Sequence, residues 1–462
     1  MSEHCGYIVK VEQLRKHSNA DRLQVATFFG NDTCVSLDVK VGDIGIYFPT
    51  DLQLSEEFCA ANNLVRKKDD AGNNIGGYMD PDKRNVTTIK LRGEKSDGLY
   101  LPISCFDYLG EAVSPFKIGD SISVIDGHEI CCKYIPKRQV SSSERKDKTR
   151  VRKVVAPVAP LFVEHVDTEQ LAYNLDAFKY GQLIEITLKM HGTSQRTGYL
   201  PVLKGYKKTI LDRIFRREGT PIYDWGYVTG TRRTIINGSY TDGYYKDPFR
   251  EPHAKFFEGK LHKGEEVYYE VVGFQTSGAP IMASVDNKKT GDKEFIKQYG
   301  PVTTFSYGCS PEGKKTVWGN DDVGQFSIDI DVPQSDFYVY RMTMTNEDGD
   351  VVEYTPDFMR YRCEQMGCKY VPVLWHGYLS GDGTIPPGEH VRAIAESYYD
   401  GPDPIGKTHV REGVVVRIVD KPKFTAYKHK NFYFKALEGL VKATADAPDM
   451  EEAQEVDAEL DN

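Results

Sequence analysis

The sequence predicts an α+β protein, with a small β-barrel at the front and a larger domain of antiparallel sheets with flanking helices behind it. Three observations carry this. The front region, 1–135, divides into short strand-like segments separated by turn residues, with no long helical period between them. A basic stretch followed by a proline-punctuated one then interrupts the pattern. From Gly181 to about Val441, strands recur with helices interspersed. The expected division is 1–135 for the barrel, 136–160 for a linker, 161–442 for the second domain and 443–462 for a tail.

The expected front strands are Gly6–Gln13, Leu23–Phe29, Thr33–Val39, Gly45–Phe48, Val86–Arg92, Gly98–Ile103 and Ser121–Ile125. Asn31-Asp32, Gly42-Asp43, Asp70–Gly77 and Gly119-Asp120 supply the turns. Closure into a barrel is the natural arrangement because it removes exposed sheet edges. Behind the linker, a helix is expected over Thr168–Phe178. Asp167 caps it, Gln170 follows three residues on, and Leu171, Leu175 and Phe178 line one face. A basic helix is expected over Lys207–Arg217, Phe305–Val332 receives no assignment, and no internal repeat is present.

Composition narrows the class. The 462 residues are 40% hydrophobic and 27% charged, enough for two or three domains. No apolar run reaches the roughly 18–20 residues of a membrane span, and the longest, Val154–Val163, contains Pro157 and Pro160. The N-terminus shows no secretory pattern. Nine cysteines without a Cys-x-x-Cys framework point to reduced thiols and a cytoplasmic protein; Cys131 and Cys132 are adjacent, and Cys363 and Cys368 stand apart. The net charge of −9 is uneven. Asp446–Asn462 holds eight acids and no base, so the remainder carries −1. Lys137–Lys153 carries eight bases against two acids, a local charge of +6. It reads either as a solvated flexible linker or as one that touches phosphates.

Two phrases in the front region resemble OB-fold modules of the tRNA-binding type, which also precede some RNA ligases. They are His17-Ser18-Asn19-Ala20-Asp21-Arg22-Leu23 leading to Gly42-Asp43, and Leu91-Arg92-Gly93 followed by Ser96-Asp97-Gly98-Leu99. The resemblance implies an RNA-binding module.

The chemistry is carried by an ordered series. Ile184–Leu188 is an apolar strand ending in Lys189-Met190-His191-Gly192. Thr229-Gly230-Thr231-Arg232-Arg233, Tyr268-Tyr269-Glu270-Val271, Phe337–Arg341, Arg411-Glu412-Gly413-Val414 and Tyr427-Lys428-His429-Lys430 follow. Taken singly, each has a plain reading: a surface lysine, a strand-end glutamate in an ion pair, a core tyrosine, an exposed arginine. Lys428 and Lys430 alternate on one strand and share a face. In order and type the six segments resemble the motifs of covalent nucleotidyltransferases, the superfamily of polynucleotide ligases and mRNA capping enzymes, whose domain is of the ligase/capping, ATP-grasp-like type.

By that resemblance Lys189 is the nucleophile toward the α-phosphate of ATP, and it must be neutral to attack. Glu412 belongs to a Mg²⁺ (or Mn²⁺) site, and Glu270 contacts ribose or metal. Lys428 and Lys430 neutralise the triphosphate, Tyr340 stacks on adenine, and Arg232, with Arg233 as a substitute, holds the ribose. His191 stands where DNA ligases and capping enzymes have Asp, as in a group of RNA ligases. Leu188 stands where those RNA ligases usually have Glu, and Arg341 where many relatives have Asp. The stretch after Lys430, largely taken up by the acidic tail, is too short for a C-terminal OB domain. The OB-like module at the front is similar to the arrangement in Deinococcus-type RNA ligases. The expectation is an ATP-dependent RNA ligase acting in RNA repair, with RNA bound through the front module and the linker. The alternatives are a capping-type guanylyltransferase or DNA ligase, or a non-catalytic RNA-binding protein.

Overall fold

The alternation in Leu183–Lys189 decides the architecture around it. Ile184, Ile186 and Leu188 point to one face of the strand and are buried, while Glu185, Thr187 and Lys189 point to the other. A strand so divided needs an apolar layer on one side and polar partners on the other. The computed structural model supplies both. It describes residues 4–67, 76–110, 116–135, 157–165, 168–215, 217, 219–236, 238, 240, 245, 247–321 and 324–443. These fall into two units, 4–135 with 435–443, and 157–434. The chain is α+β, with mostly antiparallel sheets and few helices.

In the larger unit, Leu183–Lys189 is the fourth strand of a five-stranded sheet. Across it the order is Glu169–Gln170, Ala426–Lys430, Gly413–Ile418, Leu183–Lys189 and Val373–Tyr378, and only the first pairing is parallel. Its apolar face, with Val414, Val416 and Ile418, buries against Leu171, Phe178, Leu379, Val391 and Ala395. A second five-stranded sheet runs Thr220–Gly230, Thr193–Lys207, Glu265–Gly273, Ser335–Thr345 and Val351–Glu353, antiparallel throughout. The turn at Met190–Gly192 joins the two sheets, so the lysine strand runs directly into the second sheet.

The helix expected over Thr168–Phe178 is not formed. Glu169–Gln170 pairs in parallel with Tyr427–Lys428, and two short 3₁₀ turns, Leu171–Tyr173 and Leu175–Ala177, follow. Asn174 donates its side-chain amide to the Gln170 carbonyl at 2.8 Å, a local bond that competes with helix. Leu171 and Phe178 are buried nonetheless. The capping residue Asp167 lies outside the described residues. Of the expected basic helix, Ile210–Ile214 forms, started by a Thr209/Asp212 capping box, while Lys207 still belongs to the preceding strand.

The smaller unit contains the expected strands, with shifted ends. Ser121–Ile122, Gly6–Lys10, Ile44–Phe48 and Leu99–Pro102 form one antiparallel sheet, and Leu14–Lys16, Leu23–Phe28 and Asn31–Ser36 another. The described strands fall into these sheets and smaller ribbons, not one closed ladder. The helix Glu56–Ala61, capped by Ser55, and the 3₁₀ turn Ile103–Leu109 bring Phe58 and Phe106 onto the same core as Ile8, Ile46 and Phe48. Helical cover thus takes over part of what closure would do. The two phrases of the front region meet each other. The His17 ring donates to the Leu91 carbonyl at 3.0 Å, and Arg15 pairs with Glu94 at 2.9 Å. The Asp97 carboxylate accepts from the Thr88 hydroxyl at 2.7 Å. The basic stretch Lys137–Lys153 and the acidic tail lie outside the described residues. No helix among the described residues is long and apolar enough to cross a membrane.

Candidate active site

The polar face of the lysine strand carries the site. Lys189 is opposite Gly413, and Gly413 is opposite Lys430, so three strands bring the two lysines into register around the residue that precedes Gly413. That residue is Glu412. Its Oε1 lies 2.6 Å from Lys189 Nζ and 3.8 Å from Lys430 Nζ, and its Oε2 lies 3.9 Å from His191 Nδ1. Glu412 is 2% exposed and Lys189 is 23% exposed, so the carboxylate is enclosed while the amine opens outward. A buried carboxylate is tolerated when cations surround it. Lys428, two residues before Lys430, shares its face and pairs with Val415 and Gln170 in the sheet.

Two glycines make this approach possible. Gly413 has φ +150°, and a Cβ there would lie 2.1 Å from the His429 carbonyl oxygen. A Cβ on Gly192 would lie 2.3 Å from the Val271 carbonyl oxygen. Gly192 also donates its N–H to Glu270 Oε1 at 3.0 Å, which ties the lysine turn to the second sheet. Glu270 pairs with Ser194 on one side and Tyr338 on the other.

Sequence reasoning passed over what holds His191. Its ring stands edge-on to Phe305 and Phe434, at 4.5 and 4.7 Å between centroids. Its backbone N–H donates to the Tyr307 hydroxyl at 2.6 Å. Tyr307 is buried at φ +48°, a conformation that costs a non-glycine residue about 1–2 kcal/mol. Burial, reinforced by the Glu412 charge, pushes its phenol well above the ordinary value. Phe305 and Tyr307 belong to the stretch without a sequence assignment. The available signal was Phe-Ser-Tyr-Gly, two aromatics before a glycine, and it names no partner. Phe434 sits on the helix Phe432–Ala443, whose first turn is capped by Asn431 Oδ1. The Asn431 N–H in turn donates to the Glu412 carbonyl at 2.8 Å.

Arg250 was also missed. It is buried, donates to the Ser194 carbonyl at 2.9 Å and to the Thr193 hydroxyl at 2.5 Å, and so fixes the strand that leaves Gly192.

Tyr340 and Arg232 lie in a second cluster on the second sheet. A register shift at Tyr268/Tyr269 leaves Tyr340 as the extra residue of a β-bulge, a feature that re-aims a side chain. Its hydroxyl is 3.0 Å from Ser194 Oγ, and its ring centroid is 5.7 Å from that of His165. Arg232 occupies the tight turn closed by the Gly230–Ile235 bridge. It is half-buried, its carbonyl accepts the His165 N–H at 3.0 Å, and Arg233 is exposed. Arg341 is bonded to Glu353 at 2.9 Å and lies over the Tyr268 ring. Burial, then the charges of Arg341 and Arg232, holds the His165 ring well below its ordinary value. Leu188 is buried in the apolar layer. Among the described residues no group of three His, Cys, Asp or Glu side chains is gathered for a metal.

No family model matches the chain, and no curated protein matches it. Solved structures do. A Naegleria gruberi RNA ligase variant with AMP and Mn is 15% identical, with 93% of this chain and 98% of that chain covered and a TM-score of 0.53. A variant of that ligase with ATP and Mn is 16% identical over the same shares, at 0.53. The Naegleria ligase with PPi is 16% identical over 93% and 97%, at 0.52. At these identities what is shared is the fold: this chain is built like the Naegleria RNA ligase.

Proposed function

We propose that this protein is an ATP-dependent RNA ligase that joins 3′-OH and 5′-phosphate ends through a lysyl–AMP intermediate. The observation that carries the proposal is the convergence of Lys189, Lys430 and His191 on the buried Glu412, in a fold shared with RNA ligases. Neutral Lys189 attacks the α-phosphorus of ATP. An N–P bond forms as the bond to pyrophosphate breaks, and the amine proton is released. A 5′-phosphate oxygen of RNA then attacks the same phosphorus and Lys189 leaves. Finally the 3′-OH attacks the 5′-phosphorus and AMP departs. Lys428 and Lys430 offset the triphosphate charge and the charge that develops at phosphorus. Tyr340 stacks on the adenine and Arg232 holds the ribose. Leu188 has no polar group, so the base amine is read by backbone.

Glu412 and Glu270 fit a Mg²⁺ or Mn²⁺ ion. Glu412 Oε2 is buried with no hydrogen-bond partner among the described residues, and two carboxylates leave coordination positions for phosphate oxygens and water. The ion would supply charge neutralisation at the reacting phosphate.

The front unit, read as an OB-like module, and the basic linker are assigned to gripping RNA across the junction, as in the Deinococcus-type ligases, in a cytoplasmic repair enzyme. The +6 charge of Lys137–Lys153 supports this, as do nine free thiols. The test is incubation with Mg²⁺ and α-labelled ATP or GTP, then denaturation. Label from ATP stays on the protein, and Lys189→Ala abolishes it while still sealing a pre-adenylylated strand. An adduct of normal yield on Lys189→Ala refutes the nucleophile, and label from GTP instead of ATP refutes the ligase in favour of a capping-type enzyme.

A further inference from the structure

The end of the helix Pro356–Met366 brings two cysteines together. Gly367 follows it in the left-handed conformation, φ +73°. The Gly367 N–H donates to the Glu364 carbonyl at 3.2 Å, and the Cys368 N–H donates to the Cys363 carbonyl at 3.0 Å. These are the two bonds of a Schellman cap, a closure in which the side chains at the first and last of the six positions regularly touch. Usually that contact is apolar. Here both positions are cysteine, and the 6→1 backbone bond sets their two thiols side by side. Neither forms a disulfide in this state.

The two sulfurs differ. Cys363 is fully buried and its thiol is pushed up, by the Cys368 side chain and by burial. Cys368 is partly exposed, and its thiol is held below the ordinary value, chiefly by the Cys363 side chain, with Lys260 and Arg362 adding positive charge. Lys260 lies over this helix end, donating to the Met366 carbonyl at 3.0 Å. A partly exposed thiol near positive charge, with a second, buried thiol beside it, is the arrangement of a reactive cysteine and its resolving partner.

We propose that Cys363 and Cys368 are a redox modification site, forming an intramolecular disulfide with hydroperoxides. The Cys368 thiolate attacks one peroxide oxygen and the O–O bond breaks, giving a sulfenic acid and, after protonation, water. The Cys363 sulfur then attacks the sulfenic sulfur, its proton passes to the departing oxygen, and a second water leaves. Two thiols are oxidised and one hydrogen peroxide is reduced to two waters. The backbone bonds of the cap involve neither sulfur.

The position gives the bridge consequences. From Cys368 the chain runs into a segment that hydrogen-bonds to both sheets. The Lys369 carbonyl accepts the Val339 N–H at 3.0 Å, and the Val371 N–H donates back to the Val339 carbonyl at 2.9 Å. The Pro372 carbonyl accepts the Leu188 N–H at 2.9 Å. Val339 and Leu188 immediately precede Tyr340 and Lys189. The bridge therefore anchors the segment that spans the two sheets.

The experiment is hydrogen peroxide treatment of the full chain, alkylation of the remaining thiols, and peptide mapping without and with reductant. A peptide linking Cys363 to Cys368 is expected at lower peroxide than any other change among the nine cysteines, and dithiothreitol should remove it. In Cys363→Ser, Cys368 should instead be trapped as a sulfenic acid by dimedone; in Cys368→Ser, Cys363 should stay reduced. Equal alkylation of both cysteines before and after treatment overturns the proposal, as does prior oxidation of Cys131, Cys132 or another thiol. The mapping needs no ligase substrate, so its outcome is separate from that of the proposed activity.

Discussion

Replacing Glu412 with Gln keeps the shape of the side chain and removes the charge on which the site converges. The carboxylate faces Lys189 at 2.6 Å, Lys430 at 3.8 Å and His191 at 3.9 Å. Breaking a fully buried pair costs about 3–5 kcal/mol. Here Lys189 and Lys430 remain 23% and 13% exposed and regain water, so a loss of roughly 1–3 kcal/mol is the expectation. With a urea slope of about 3 kcal/mol/M, the unfolding midpoint should fall by no more than about 1 M. Catalysis should suffer more. Losing a preorganised electrostatic contact at the reacting centre typically lowers the rate by about 10²–10³. The assay is single-turnover formation of the protein–AMP adduct over a Mg²⁺ titration, beside urea unfolding of the same samples. A variant that forms the adduct within about threefold of the parent rate at every Mg²⁺ concentration would show that Glu412 is only the counter-ion of two lysines.

Three further outcomes are expected. Tyr307→Phe removes the acceptor of the partly buried His191 N–H, costs about 1–3 kcal/mol in urea unfolding, and lowers adduct yield; an unchanged unfolding midpoint would mean that the bond is dispensable. His253 is buried against Ser335 Oγ at 2.9 Å, and burial holds its ring at about 4, below the ordinary 6.5. The unfolded chain therefore binds the proton first, and stability present above pH 6.5 is lost as pH falls toward 4, by about 1.4 kcal/mol per pH unit. His253→Gln should flatten the pH dependence of unfolding by that amount between pH 6 and pH 5, and an identical slope in both proteins would rule this out. Neutralising the bases of Lys137–Lys153 should lower the slope of log RNA affinity against log salt by about 0.7–0.9 for each phosphate no longer neutralised, and an unaltered slope would make the stretch a plain tether.

What the sequence made legible follows from how far each signal reaches. Lys189 and Lys430 were placed together by the resemblance of the ordered motifs, and strand pairing through Gly413 supplies the register that brings them side by side. Glu412 was visible for the same reason, as a charge at the head of Gly-Val-Val-Val. Tyr307 and Arg250 were not visible. Each acts through a bond to backbone, at His191 and at Ser194, and a backbone N–H or carbonyl leaves no mark on the residue that carries it. The failed helix at Thr168–Phe178 shows the converse. Its apolar spacing was real and Leu171 and Phe178 are buried, but Glu169–Gln170 pairs in parallel with Tyr427–Lys428, a strand from the opposite end of the same unit's sequence. Long-range pairing overrode local period there. The same limit hid the cysteine pair, close as the two lie in sequence. Cys363 and Cys368 looked separate because five positions apart is neither a helical nor a strand neighbour. Only the left-handed Gly367 folds the chain back so that a 6→1 bond brings them into contact. A cysteine, three residues, then Gly-Cys at a helix end is thus a pattern with a mechanism, readable once the helix terminus is known.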